Sequence, residues 1–164
     1  MLERTQAHAL PEPALATLWY LSVPFTNGMI YHVYAERVSA TFPKTSFRPR
    51  PADGKNKYFP ESTDLDGLSI TFYEMYDYRV HKWLSEWRKL IKDKDGNYSP
   101  AALYKKDMTL RLYARTNMSS PIYTVNYIGV APSDQAPLDL QFDDETQRIT
   151  VETQFSVDNQ EIEN

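Results

Sequence analysis

Cysteine is absent from the chain. That excludes disulfides, a thiolate metal site and a cysteine nucleophile. Histidine is scarce: His8, His32 and His81 are scattered, and His81 has no partner four residues on for a helical metal site. No apolar run approaches the roughly 20 residues of a membrane span. No signal peptide is visible, so the expectation is a chain made and folded in a cytoplasm without membrane insertion. Internal repeats are missing, and Gly54-Lys55 lacks the preceding glycine of a phosphate loop. What remains is 164 residues, enough for one domain with a full core, with aromatics concentrated in strand-like runs.

Charge is unevenly spread. Asp134 to Asn164 holds nine acidic residues and one basic, while the remainder holds 13 acidic and 17 basic. Such asymmetry suits copies meeting basic surface to acidic surface. The competing reading is simply an acidic, partly disordered end.

One stretch organises the rest. Val80, Trp83, Leu84, Trp87, Leu90 and Ile91 fall at i, i+3, i+4, i+7, i+10 and i+11. That spacing places six large apolar side chains on one stripe of a helix over 77–91. Asp77 is the expected N-cap, lysines follow near the other end, and Gly96 is the expected stop. Each buried side chain is worth roughly 1.5–3 kcal/mol, so the stripe has to be covered. No second helix of comparable length is visible, and a β-sheet is the expected cover.

Strand patterns fill most of the remaining sequence. Residues 1–13 read as an N-terminal arm, and Trp19, Leu21, Val23 and Phe25 share a strand face. Asn27-Gly28 signals a hairpin, with the return strand from about Met29 to Val38. Residues 40–66 are rich in proline and read as a long loop with an Asp53-Gly54 turn. Lys44, Phe47, Arg48, Arg50, Lys55, Lys57, Tyr58 and Phe59 make it look like a docking loop. Further strands are expected at Leu68–Met75, Met108–Arg115, Ile122–Val130, Leu138–Phe142 and Ile149–Val157, with a loop at Pro132–Pro137 and Ser99-Pro100 opening a short helical turn. Residues 14–158 then form one domain, and 159–164 an acidic end. About seven strands joined by short turns imply two packed antiparallel sheets, barrel-like, with one flanking helix.

Catalytic chemistry is weakly signalled. Glu74 and Asp77 are a carboxylate pair at a strand-to-helix junction, but Asp77 already has a capping role and nothing polar converges on it. Asp93, Asp95 and Asn97 around Gly96 have the wrong glycine placement for a calcium loop, so a turn is expected. Trp83 and Trp87 could stack bases or sugars, yet at helical spacing they belong to a core. No enzyme, cofactor or metal site emerges.

The order of elements, more than any single motif, carries a resemblance. A strand ending "ITFYEMYD" runs into a helix with tryptophans, then "PAALYKKDMTLRLYAR", "YTVNYIGVAPSD" and "LDLQFDDETQRITVETQFSVD". Over about 14–158 this resembles the tail tube family of T-even-like contractile bacteriophages and the tube proteins of contractile injection systems. The resemblance implies six copies per ring, stacked rings, and inner strands joined into one barrel that lines a channel for viral DNA in transit. It implies partners: other copies of the chain, the tail sheath, the tape-measure protein, and baseplate tube-initiator or tube-terminator proteins. It implies a place in the virion tail, assembled in the bacterial cytoplasm. The polar face of the last strand, Thr150, Glu152, Gln154 and Ser156, is free of basic residues and is the candidate channel lining, since arginine rows would grip phosphates. The loop at 40–66 is expected to contact other copies, chiefly between stacked rings. Alternatives from other classes are a baseplate tube initiator, a β-sandwich ligand-binding module, and a small hydrolase using Glu74.

Overall fold

In a computed structural model of the chain, residues 18–23, 34–137 and 148–163 are described. The expected arm at 1–13, the Asn27-Gly28 turn and the Leu138–Phe142 strand lie outside them. Among the described residues the chain is mainly β. The strands are β1 (Trp19–Ser22), β2 (Tyr34–Ser39), β3 (Lys44–Ala52), β4 (Lys55–Asp64), β5 (Leu68–Tyr73), β6 (Lys106–Leu112), β7 (Tyr123–Gln135), β8 (Thr150–Ser156) and β9 (Asn159–Glu163). The helices are α1 (Arg79–Ile91) and the one-turn α2 (Ala101–Tyr104).

Two antiparallel sheets share the long strand β7, and among the described residues they do not close into a barrel. The first half of β7 pairs with β6 and β9, and β6 pairs with β1. The second half pairs with β8, which continues through β5 to β2. Gly129 makes the change of sheet possible. Its φ is +68, and a Cβ there would overlap the Asp158 carboxylate, so only glycine fits. Asp107 accepts the Gly129 N–H at 3.1 Å, and Lys105 holds Asp158 at 2.7 Å from the same corner.

The core lies where the inner sheet faces meet α1. Leu68, Ile70 and Phe72 of β5 alternate inward, as do Val151, Thr153 and Phe155 of β8. Met108, Leu110, Val125 and Tyr127 line the other sheet. Val80, Trp83, Leu84 and Trp87 are buried against them, while Leu90 and Ile91 are half-buried at the end of the stripe. Phe72, Trp83, Trp87 and Phe155 form a continuous aromatic run, with centroids 5.6–5.7 Å apart at each step. Trp87 Nε1 donates to the Tyr104 carbonyl at 2.6 Å, which ties α2 to α1.

Several expectations require correction. β1 and β2 are not a hairpin pair: β1 pairs with β6 and β2 with β5, in opposite sheets. A turn signal bears on the local reversal of the chain and does not choose which strands pair. Residues 44–64 are not a loop but a two-stranded sheet of their own. Residues Pro132–Pro137 are strand as far as Gln135, with Pro132 opposite Phe155. The acidic end set apart at 159–164 is in sheet as far as Glu163, because β9 pairs with β7.

The helix start differs too. Tyr78, in the left-handed region at φ 53, occupies the N-cap position and makes no side-chain cap. Asp77 instead binds Arg79 at 2.9 Å, and that guanidinium holds the Asp77 carboxyl below the usual range. At the other end the helix stops at Lys92, and Gly96, φ +88, serves the following turn. Pro100, not Ser99, stands at the cap of α2.

Candidate assembly surfaces

The carboxylate pair at the strand-to-helix junction is structural. Glu74 leaves β5 with its side chain only 1% exposed. Its Oε1 accepts from Met75 N at 2.9 Å and Val80 N at 3.1 Å; its Oε2 accepts from His81 N at 3.0 Å. His81 Nδ1 lies 2.7 Å from the same oxygen, placed to donate as well. Glu74 therefore performs the capping expected of Asp77, from a distance of six residues. With its lone pairs taken by the protein, it has none left for a substrate. A carboxylate this close before a helical stripe was the available signal, but the reach across the Tyr76–Tyr78 turn is set by tertiary geometry.

The other chemical candidates resolve in the same way. Asp93 accepts from the backbone N–H groups of Asn97 and Asp95 at 2.8 and 2.9 Å, which closes a turn. Those bonds, the Asn97 amide first, hold its carboxyl below the ordinary range. Among the described residues no group of three or more His, Asp or Glu side chains could hold a metal. Nor is any described helix long and apolar enough to cross a membrane.

Two surfaces stand out instead. The first is the outer face of the sheet containing β8. Thr150, Glu152, Gln154 and Ser156 are exposed, alternating with buried neighbours. Register extends that face: Tyr73, Thr71 and Ser69 of β5 lie beside Thr150, Glu152 and Gln154, and Arg37 and Ser39 of β2 lie beyond them. Asp134 of β7 stands on the other side of Gln154. The face is hydroxyl- and amide-rich with few charges. Ser69 and Thr71 were legible as the complement of Leu68, Ile70 and Phe72. Arg37 was missed because the faces of the β2 segment are mixed in sequence, and the register there shifts between Ala35 and Arg37.

The second surface is the β3–β4 hairpin. It holds Lys44, Phe47, Arg48, Arg50, Lys55, Lys57, Tyr58 and Phe59, all exposed. Asp53 and Gly54, φ 52 and 73, form its two-residue turn. The strands pair from Lys44↔Asp64 to Ala52↔Lys55 with one bulge after Ser46. Phe47 and Tyr58 remain 58% and 69% exposed, and Phe59 42%. Such a hairpin buries little of its own, and an isolated two-stranded sheet is marginal in water.

No family model matches the chain, and no curated protein matches its sequence. Solved structures do match its shape. A chain of the sheath/tube terminator of an extracellular contractile injection system superposes with TM-score 0.70 at 13% identity, covering 94% of this chain and 99% of that one. A chain of the six-fold symmetrised anti-feeding prophage baseplate gives 0.70 at 11%, covering 93% and 97%. The sheath–tube complex of an extracellular contractile injection system gives 0.59 at 15%, covering 99% of each chain. This is the contractile tail tube fold. At such identities the likeness is one of backbone, and it leaves the surface chemistry of the chain to be read from its own residues.

Proposed function

We propose that the chain is a structural subunit of a phage-type contractile tail tube, with no enzymatic step. Six copies form a ring, rings stack, and the channel passes DNA and the tape-measure protein while the sheath packs outside. The tube is assembled in the bacterial cytoplasm and works in the virion tail. The carrying observation is the match of fold over nearly the whole length of both chains. A polar outer face at Thr150, Glu152, Gln154 and Ser156 supports it as the channel lining, because hydroxyls and a carboxylate do not hold phosphates; Arg37, two strands away on the same face, is a single cation rather than a gripping row. The hairpin supplies contacts between copies, chiefly between rings.

A second reading has its own support: the baseplate and terminator chains superpose with TM-score 0.70, against 0.59 for the tube complex. In that reading the chain starts or ends a tube, as a baseplate tube initiator does. Negative-stain images of the purified protein separate the two. A main tube subunit gives long tubes and an end subunit gives single rings. A chain that remains monomeric at high concentration overturns both. Single cysteines at Thr150 and Glu152 test the lining: reagent that reaches them from outside a sealed tube counts against it.

A further inference from the structure

The β3–β4 hairpin has two chemically different faces. Cα register puts Phe47 opposite Pro60, Pro49 opposite Tyr58 and Pro51 opposite Asn56, so these six side chains share one face. That face carries no charge. The other face carries Arg48 opposite Phe59, Arg50 opposite Lys57 and Ala52 opposite Lys55. Phe59 thus stands among the cations, with Arg50 lying 5.9 Å over its ring. It is on the opposite side from Phe47 and Tyr58.

The prolines add a second constraint. Pro49, Pro51 and Pro60 have no N–H, so in an intact ladder they can occupy only positions whose N–H would point away from the partner strand. All three lie in the rows of the uncharged face. The outer edge of β3 is therefore stripped of donors at two successive outward positions. Strand addition along β3 is disfavoured, which leaves the two faces and the outer edge of β4, where Asn56 and Tyr58 keep their donors, for recognition.

Charge indicates the partner. Lys57 is held by Asp53 at 2.9 Å and Arg48 lies 3.5 Å from Glu61, but Arg50 and Lys55 have no ion pair among the described residues. On β9, Glu161 and Glu163 are exposed, two residues apart on one face of an edge strand; neither has an ion pair among the described residues, and Glu163 accepts only from the Asn126 amide at 2.9 Å. Hairpin and β9 make no substantial contact within one copy. We infer that the hairpin docks on a second copy of this chain with a division of labour between its faces: the proline–aromatic face of Phe47, Pro49, Tyr58 and Pro60 is the anchor, and the cationic face, Phe59 included, meets Glu161 and Glu163 of β9 and sets the register. Anchors of this kind carry most of a contact's energy, whereas exposed charge pairs mainly orient and are screened by salt. This inference rests on the proposed contact between copies.

Assembly of the full chain, followed by light scattering and electron microscopy at low and high salt, tests it. Phe47→Ser with Tyr58→Ser is expected to reduce association at least tenfold at both salt concentrations. Arg50→Ser with Lys55→Ser is expected to slow it at low salt only, flattening the salt dependence, and Phe59→Ser to follow this second pattern. Reversal by Arg50→Glu with Lys55→Glu should be rescued by Glu161→Lys with Glu163→Lys in the same chain. Unchanged thermal midpoints confirm that each variant is folded. Phe59→Ser as damaging as the Phe47/Tyr58 pair overturns the division of faces, and failed rescue overturns the choice of β9. A variant with residues 44–64 replaced by a short turn separates the levels: assembly at the wild-type rate overturns the hairpin contact itself, while blocked assembly with all face variants behaving alike overturns only the division.

Discussion

The α1 core and the β3–β4 hairpin contain similar residue types and put them to opposite use. Trp83, Trp87 and Phe72 are completely buried, and their ring contacts bind helix to sheet. Phe47 and Tyr58 are mostly exposed, held only by their own two strands. An aromatic at helical spacing has two elements to lie between. An aromatic on an isolated hairpin has a single layer behind it, which leaves its second surface open. Under the proposed function, monomer stability resides in the α1 core and contact between copies in the hairpin.

Substitutions can break that separation. The largest effect is expected at Trp83→Ala, which removes a ring packed against Phe72 and Trp87. It should cost about 3–5 kcal/mol in a denaturant titration. If Trp83→Ala unfolds at the wild-type midpoint and loses only assembly, the stripe is an interface and the contrast fails. Glu74→Ala comes next. It orphans the buried N–H groups of Val80 and His81 at the start of α1, at about 1–3 kcal/mol by the same measurement. Asp77→Ala should cost less, since the Asp77 carboxylate is about a third exposed and is held chiefly by the Arg79 side chain, so water can replace what is lost. Equal losses would return the cap to Asp77.

Tyr127→Phe should have a small effect of either sign at neutral pH. The hydroxyl is buried and has no hydrogen-bond partner among the described residues, so removing it forfeits no bond. Burial pushes the phenol up to about 12 from 10.0. A folded-state value above the unfolded one gives a contribution that is intact below pH 10.0 and is lost as pH rises towards about 12. Tyr127→Phe should therefore flatten the fall in stability over that window, and an unaltered alkaline profile would count against it. The smallest effect on the monomer is expected from Phe47→Ser with Tyr58→Ser: a midpoint shift equivalent to no more than about 0.5 kcal/mol, as for exposed sites in general. A larger shift would show that the hairpin belongs to the core after all.

Periodicity was the most legible part of the chain. Val80, Trp83, Leu84 and Trp87 declare their burial by spacing alone, because a helix repeats every 3.6 residues whatever surrounds it. Thr150, Glu152, Gln154 and Ser156 declare an outer face by alternation for the same kind of reason. Asp53-Gly54 declares a turn because positive φ is cheap at those residue types. Each of these signals is local and can be read from a few neighbouring residues. Pairing is not local. That β1 joins β6 rather than β2 and that β7 crosses between sheets at Gly129 were decided by which surfaces could cover one another; the 44–64 ladder was masked in sequence by its prolines, which sit where no N–H is needed. The same holds for the cap at α1. Asp77 has the right residue type at the right place in sequence, but Glu74 reaches the free N–H groups, because the chain bends at Tyr78 and brings a carboxylate six residues away into the space above the first turn.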